Sequence, residues 1–245
     1  LTRNVSYANF VDRGRIGYVK LDQFGRGSGE ETRQAIENLA QSGSMEGLVL
    51  DLRDNPGGLL SAAIEITQLF IPAEEVVVST RSKLEVNNTI YRSQAAPLYP
   101  DLPVAVLING ISASASEIVS GALQDYDRAV VVGQTSFGKG LVQIVRPLPY
   151  NTLVKLTTSR YYIPSGRSIQ ALDYTRQDGT SSTIPDSLRQ AFRTKNGRVV
   201  FDGKGIEPDL IIDDGTPSEL EQALTRQAAI FHYANHYAAS RDRGP

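Results

Sequence analysis

The sequence predicts an α/β fold of stacked layers, because short apolar strands alternate along the chain with segments of helical periodicity. Three runs, GLVLDLR (47–53), VAVLING (104–110) and AVVVGQ (129–134), are mainly apolar, as buried strands are. Between the strands, GEETRQAIENLAQSGS (29–44) repeats its apolar residues with the spacing of a helix. Alternation of this kind is typical of a sheet covered by helices.

Each element has a local reason in the sequence. RIGYVKLDQF (15–24) alternates as a half-buried strand does, and DNPGG breaks the chain before LLSAAIEITQLFI resumes a helical period that Pro72 ends. In chain order we predict a strand at 15–24, a helix at 29–44, a strand at 47–53, a helix at 59–71, two strands within 75–93, a strand at 104–110, a helix from the serine-rich turn to about Leu123, a strand at 129–134 and a hairpin within 141–163.

The last part of the chain has a different character. Residues from about 171 to 200 are mainly polar and are predicted to leave the core as a long excursion, in which Asn196-Gly197 marks a hairpin. PSELEQALTRQAAIFHYANHYAAS predicts one amphipathic helix at about 217–239, with Ser218 as its N-cap. We predict one domain over residues 1–245.

Composition excludes several classes of function. The 245 residues carry a formal net charge of -2, which gives no electrostatic basis for binding nucleic acid. The longest apolar runs are far shorter than the roughly 20 residues of a transmembrane helix, and no signal peptide is recognisable. Cysteine is absent, which excludes disulfides, thiol catalysis and cysteine-ligated metal.

A serine-rich turn, ISASASEIVSGALQD (111–125), follows a predicted buried strand and opens a helix. Ser114 and Glu117 fit the pattern of a capping box, an ordinary structural role. The same serine lies at a strand-to-helix corner, where α/β folds place reactive groups. Ala115 follows it, and an amide at the first turn of a helix favours negative charge. A reactive serine and a helix cap are both consistent with this pattern.

A base for this serine is not obvious among the histidines. His232 and His236 lie four apart on the predicted last helix, among aromatic residues that indicate a packing face or a partly exposed stripe. Lys139, in SFGKGLVQ, lies between two glycines directly after a predicted strand. We expect apolar neighbours to desolvate Lys139, and desolvation disfavours the ammonium form of a lysine, so that it can accept a proton. A phosphate-binding loop is the weaker alternative, because GKG lacks the Walker spacing.

Four segments together resemble the core of the carboxyl-terminal processing peptidases, or tail-specific proteases, of the S41 type. They are GLVLDLRDNPGGLL, SASASEIVSGALQDYDRAVVVG, SFGKGLVQ and IPSGRSIQ, and the resemblance runs from about Ile16 to Asp213. It implies a crotonase-like or ClpP-like core of stacked ββα units with additional strands and a C-terminal helix.

The resemblance also implies the roles of individual residues. Ser114 corresponds to the family's nucleophile, and Lys139, which lies 139 − 114 = 25 positions later, to its general base. Gln143 corresponds to the glutamine that orients the lysine. The backbone N–H groups of Ala115 and of a glycine in NPGG, for which we choose Gly58 over Gly57, correspond to the oxyanion hole. No cofactor and no metal are implied.

Members of this family cut proteins near exposed C-terminal tails, and are usually exported to the periplasm or outside the cell. The resemblance therefore implies protein or peptide substrates and an exported protein, with a homo-oligomer or an adaptor as further expected partners. Substrate is expected to lie along a sheet edge. A PDZ domain usually precedes this core in the family, and no PDZ-like segment is recognisable in this sequence.

Three other interpretations stay open at this point. The core could need its PDZ domain or a partner before it becomes active. It could be a non-catalytic binding relative of the same fold, although such a protein would have no use for Ser114, Lys139 and Gln143 together. A crotonase-type acyl-CoA enzyme is suggested by the fold alone.

Overall fold

The structure is a computed structural model that describes residues 3–12, 14–173, 182–212, 215 and 218–241. The chain divides into two units, Leu1–Ile211 and Ile212–Pro245. All the site residues predicted from the sequence belong to the first unit. The prediction of one domain over residues 1–245 stays a prediction.

The described residues form fourteen strands and five α-helices. The strands are β1 (Val5–Val11), β2 (Ile16–Leu21), β3 (Gly47–Asp51), β4 (Val76–Arg81), β5 (Thr89–Arg92), β6 (Val104–Ile108), β7 (Val130–Gly133), β8 (Leu141–Leu148), β9 (Thr152–Tyr162), β10 (Leu172–Asp173), β11 (Ser182–Thr183), β12 (Ala191–Arg193), β13 (Val199–Phe201) and β14 (Leu210–Ile211). The helices are α1 (Ser28–Ser42), α2 (Leu60–Thr67), α3 (Ala115–Asp125), α4 (Glu219–Arg226) and α5 (Ala229–Arg241).

A six-stranded sheet in the order β1-β2-β3-β6-β7-β14 forms the centre of the first unit. Its strands are parallel from β2 onward, and β1 joins the edge antiparallel to β2. Leu50 and Val131 flank Val106 across the three middle strands, and all three are fully buried. Central parallel strands are covered on both faces, which explains why β3, β6 and β7 read as continuous apolar runs.

Helices and a second sheet cover this core. α1 contacts β1, β2 and α2, while α2 contacts α3. α3 in turn contacts β7 and β4, and β4 belongs to an antiparallel sheet in the order β5-β4-β9-β8. Ile36 on α1, Ile66 on α2 and Ile118 on α3 belong to one buried apolar cluster. The first turn of α3 follows the carboxyl end of β6, so the serine-rich turn lies at the edge where the parallel strands end.

The predicted α/β fold class is confirmed, and the predicted strands at 15–24, 47–53, 104–110 and 129–134 are all present, with boundaries shifted by a few residues. The hairpin at Asn196-Gly197 is also present, because β12 pairs antiparallel with β13. Strand β1 was not predicted. Its residues are mostly exposed, so the sequence lacks the apolar alternation that marks a half-buried strand.

The second unit differs from its prediction. The sequence pattern predicted one helix at about 217–239, whereas the structure has α4 and α5, separated at Gln227 and Ala228. Ala228 has a φ of 47°, which ends the right-handed helix at that point. Ser218 caps α4 as predicted, accepting a hydrogen bond from Glu221 N at 3.2 Å. Part of the predicted excursion, residues 174–181, lies outside the described residues.

No helix among the described residues is long and apolar enough to span a bilayer.

A buried ion pair anchors the C-terminal end of α3. Arg167 Nη2 lies 3.0 Å from Asp125 Oδ1, and both side chains are almost completely buried. Asp125 Oδ2 also accepts a hydrogen bond from Ser165 N at 2.9 Å. Burial raises the pKa of Asp125, and the charge of Arg167 opposes that shift. The pair therefore fixes the far end of the helix that begins at Ser114.

Arg167→Met should lower the free energy of unfolding by about 3–5 kcal/mol, because it leaves the Asp125 charge buried without its partner. The matched control is Arg15→Met, which breaks two exposed ion pairs, with Asp12 and Glu46, and should cost no more than about 1 kcal/mol. Urea unfolding measures both. Equal effects of the two substitutions would contradict a structural role for the buried pair.

Candidate active site

The three alternate serines of the turn differ in what their hydroxyls do. Ser112 Oγ donates to Leu52 O at 2.8 Å, and Ser116 Oγ donates to Asn55 O at 2.9 Å. Both side chains are fully buried, so these two serines fasten the turn to the chain that follows β3. Ser114 is partly exposed, and among the described residues its hydroxyl has no hydrogen-bond partner. Only the middle serine of the three has a hydroxyl left for chemistry.

The backbone of Ser114 is strained. Its φ of 56° and ψ of -109° lie outside the regions that residues other than glycine favour. Such a conformation costs about 1–3 kcal/mol and persists only where the surroundings hold it in place. The Glu117 carboxylate supplies part of that hold, because Oε2 accepts a hydrogen bond from Ser114 N at 2.7 Å. The Ser114 hydroxyl faces the Glu117 amide as in a capping box but makes no capping hydrogen bond.

The Glu117 carboxylate also reaches the segment that carries Lys139. Oε1 accepts hydrogen bonds from Ser136 Oγ at 2.6 Å and from Gly138 N at 2.7 Å. Oε2 accepts one from Lys139 N at 2.8 Å, in addition to that from Ser114 N. Glu117 is completely buried, so these four donors replace the water that a carboxylate would otherwise bind. One buried side chain thus joins the backbone of Ser114 to the backbone of Lys139.

Burial raises the pKa of Glu117 above its ordinary value of 4.5. The hydrogen bonds from Ser136, Lys139, Ser114 and Gly138 act in the opposite direction, since they favour the ionised form. The net direction is upward, which follows from the complete removal of the carboxyl group from water.

The sequence led us to expect a desolvated Lys139, and the structure corrects this. The Lys139 side chain is exposed, while Gly138 and Gly140 on either side are buried. A Cβ on Gly138 would lie 2.2 Å from Ala171 Cβ. The glycines, and not the lysine, therefore pack against the segment at residues 170–171. Apolar neighbours in the sequence therefore do not bury Lys139.

Lys139 and Gln143 are not brought into direct contact with the serine. Gln143, on β8, is also exposed. In the described part of the chain, no hydrogen bond joins Ser114 Oγ to Lys139 Nζ, or Lys139 to Gln143. The structure holds the backbone of the two predicted catalytic residues through Glu117 and leaves the lysine side chain free in solvent.

Two backbone N–H groups near the serine lack acceptors among the described residues. They belong to Ala115, the first residue of α3, and to Gly58 in the turn after β3. The N–H of Gly57, in contrast, is occupied by Asn55 Oδ1 at 2.9 Å. This difference is consistent with the choice of Gly58 over Gly57 as an oxyanion donor.

The turn after β3 packs tightly against the serine. A Cβ on Gly57 would lie 2.5 Å from Ala113 O and 2.9 Å from Ala115 N, and its φ of 98° favours glycine. Asn55 O accepts a hydrogen bond from Ala113 N at 3.1 Å, which joins this turn to the serine-rich turn. Because Gly57 has no side chain, the turn after β3 can approach the backbone of Ala113 and Ala115.

Sequence reasoning missed the roles of Glu117 and Asn55. The capping pattern from Ser114 to Glu117 was recognised, but it predicts only the local hydrogen bond and not the three donors from residues 136–139. Asn55 belongs to the DNPGG segment, which the sequence marks only as a break in the chain, and its side chain donates to Leu21 O at 2.8 Å. The two histidines, His232 and His236, are exposed on α5 in the second unit.

The sequence and the fold match a known family. The model of peptidase family S41 matches residues 15–178. A carboxy-terminal-processing protease of Bartonella bacilliformis is 42% identical over 179 residues, which cover 72% of this chain and 41% of that protein. A probable CtpA-like serine protease of Staphylococcus aureus is 31% identical over 241 residues, covering 95% of this chain and 48% of that protein.

A solved structure agrees with these relatives. The photosystem II D1 C-terminal processing protease superposes with a TM-score of 0.66 at 25% sequence identity, covering 89% of this chain and 50% of that one. The chain belongs to peptidase family S41, as the sequence motifs indicated, and has its ClpP-like type of fold. It spans half or less of the length of these relatives.

Ser116→Ala should lower the free energy of unfolding by about 1 kcal/mol, because it removes a buried hydrogen bond to Asn55. Ser114→Ala should stay within about 0.5 kcal/mol of the parent, because the Ser114 hydroxyl has no partner among the described residues. Thermal or urea unfolding measures both. A larger loss for Ser114→Ala than for Ser116→Ala would contradict the assignment of the middle hydroxyl as free.

Glu117→Gln should lower the free energy of unfolding by at least about 2 kcal/mol, since each buried N–H left without an acceptor costs about 1–3 kcal/mol. A glutamine offers one acceptor oxygen where Glu117 uses two. Urea unfolding at neutral pH measures the loss. The matched control is Glu37→Gln on α1, whose ion pair with Arg33 is partly exposed and should matter little.

The ionisation of Glu117 is tested by measuring the free energy of unfolding of the parent and of Glu117→Gln at a series of pH values. Folding raises the pKa of Glu117. Its contribution to the free energy of unfolding is therefore full below the unfolded pKa of 4.5 and is lost as the pH rises through the folded pKa. The stability advantage of the parent over Glu117→Gln should therefore shrink from acid toward neutral pH. An advantage that grows over this range would contradict the raised pKa.

Proposed function

We propose that this chain is the catalytic core of a serine endopeptidase that cuts protein chains near their C-terminal tails. Ser114 is the nucleophile and Lys139 the general base. The observation that carries the proposal is the Ser114 hydroxyl, which is free of partners among the described residues, held at a strained corner and followed by the unpaired N–H of Ala115. Membership of peptidase family S41 supports the same reaction class.

Acylation begins with the Ser114 hydroxyl. Its Oγ forms a bond to the carbon of the scissile peptide carbonyl, and its proton passes to the neutral amine of Lys139. The carbonyl oxygen becomes an oxyanion, which accepts hydrogen bonds from the N–H groups of Ala115 and Gly58. Loss of one such donor typically raises the barrier by about 3–4 kcal/mol.

Collapse of the tetrahedral intermediate breaks the C–N bond. Lys139 returns the proton to the leaving amine, and the N-terminal part of the substrate stays on Ser114 as an ester. Water then attacks the ester carbonyl, with Lys139 again taking a proton, and the second collapse restores the Ser114 hydroxyl. During these steps Gln143 orients Lys139 through a hydrogen bond from a neutral side chain. A neutral partner does not favour the charged ammonium as a carboxylate would.

The exposed position of Lys139 bears on this mechanism. The Lys139 side chain has to move toward Ser114 before it can accept the proton, whereas the Lys139 backbone N–H already donates a hydrogen bond to Glu117 Oε2. The absence of a hydrogen bond between these two side chains supports a second candidate, a core that is inactive until substrate, a partner or a further domain orders the lysine. The two candidates differ in whether this chain cuts protein by itself.

The substrate class is proposed by analogy with the relatives, which are carboxy-terminal-processing proteases. Export from the cytoplasm, and assembly with an adaptor or with further copies of the chain, stay predictions from the family resemblance.

Cleavage of casein, an unfolded protein, by the parent and its variants tests the proposal. Ser114→Ala and Lys139→Ala should each lower the rate about a thousandfold or more. Lys139→Arg should be equally inactive, because a guanidinium does not lose its proton in proteins. Lys155→Ala, on the neighbouring strand β9, is exposed in the same way and should cut at the parental rate.

Appreciable cleavage by Ser114→Ala would exclude this serine as the nucleophile, and cleavage by Lys139→Arg would exclude the lysine as the base. If the parent does not cut casein, the proposal that this chain acts alone is wrong, and the second candidate replaces it.

A further inference from the structure

A cavity of about 530 Å³ adjoins the loop that carries Lys139. Gln170, which lines the cavity, accepts a hydrogen bond from Gly140 N at 2.8 Å through its side-chain oxygen. Ala171 N donates to Gly138 O at 3.0 Å, so the loop on both sides of Lys139 lies directly on residues 170–171. The cavity is therefore next to the candidate site in space, although none of the proposed catalytic side chains lines it.

Two arginines face each other in the wall of this cavity. Arg81 on β4 is the register partner of Arg160 on β9, so their side chains project from the same face of the antiparallel sheet. Tyr162 lies two residues beyond Arg160 and shares that face. The Arg81 guanidinium carbon lies 4.2 Å from the centre of the Tyr162 ring, which holds the arginine over the aromatic surface.

Neither arginine has an acidic partner among the described residues, and neither side chain donates a hydrogen bond there. Arg167 and Arg189, in contrast, both form ion pairs. Like charges directly opposite each other destabilise a strand pair, so this arrangement weakens the sheet while no anion is bound. An anion between Arg81 and Arg160 would remove that repulsion.

The rest of the described wall combines an apolar surface with polar side chains such as Ser168, Gln170 and Gln190. Leu172, Ile184 and Phe192 line the cavity together with the Tyr162 ring. Asp202 is the one acidic residue among the described residues of the lining, and its Oδ1 already accepts a hydrogen bond from Gln190 N at 2.8 Å. Among the described lining residues, two cations against one anion give a formal charge of +1 next to the apolar surface.

We propose that this cavity binds the terminal carboxylate of a polypeptide, with the apolar side chain of its last residue against the Leu172, Ile184 and Phe192 surface. Guanidinium groups bind carboxylates through paired N–H donors, and two arginines on one face present such donors together. The proposal rests on the proposed cleavage of tails, for which a carboxylate subsite next to the loop of Lys139 would position the chain end. A side-chain carboxylate has the same chemistry and must be separated from the terminal one by experiment.

The test is fluorescence anisotropy with short labelled peptides and the Ser114→Ala chain, which removes cleavage from the measurement. A peptide ending in leucine with a free carboxylate should bind about tenfold more tightly than the same peptide with a C-terminal amide. Arg81→Gln combined with Arg160→Gln should abolish this difference and leave binding of the amide unchanged. Arg146→Gln, an exposed arginine on β8, is the matched control and should keep the preference.

Equal binding of acid and amide would overturn the proposal, as would a preference that survives in the double variant. So would an amidated peptide with an internal aspartate that binds as tightly as the free acid, because the site would then bind any carboxylate. Melting temperatures show whether the double variant is folded. Binding is measured without turnover, so failure of casein cleavage would count against cleavage by this chain alone, whereas only the peptide measurements decide whether the cavity binds a terminal carboxylate.

Discussion

The hydrogen bonds of the buried Glu117 carboxyl are the interaction on which the site depends. Its two oxygens accept from Ser114 N, Ser136 Oγ, Gly138 N and Lys139 N, and so tie the first turn of α3 to the segment after β7. A carboxyl group without access to water requires such donors, and backbone N–H groups supply three of them. The positions of Ser114 and Lys139 follow from satisfying one buried group, because neither segment can move without breaking its hydrogen bonds.

The backbones of Ser114 and Lys139 are held by hydrogen bonds, whereas the Lys139 side chain is exposed. The hydroxyls of Ser112 and Ser116 donate hydrogen bonds to the turn after β3, whereas that of Ser114 has no partner among the described residues. Tight packing of Gly57 against Ala113 and Ala115 places the same turn beside the first amide of α3. Lys139 is fixed through its backbone N–H while its side chain remains in solvent. Rearrangement of one exposed side chain would be a smaller change than refolding either loop.

Much of the fold could be predicted from the sequence because apolar strands and helical spacing are local signals, and family motifs indicated Ser114, Lys139 and Gln143. Long-range facts could not. The exposed residues of β1 carry no alternation, and an alanine at position 228 gives no sign that a helix ends there. Apolar neighbours of Lys139 suggested burial, but exposure depends on Gly138 and Gly140 packing against residues far along the chain. The four partners of Glu117 likewise meet only in the folded chain.

The most direct test of the Ser114–Lys139 pair uses the absence of cysteine from this sequence. A Lys139→Cys variant would carry the only thiol in the protein, which 2-bromoethylamine converts into a sulfur analogue of lysine. Cleavage of casein should be lost in the thiol form and return after aminoethylation, but not after alkylation with iodoacetamide, which adds no amine. Activity in the thiol form, or failure of the aminoethylated and folded protein to recover any, would contradict a lysine base at this position.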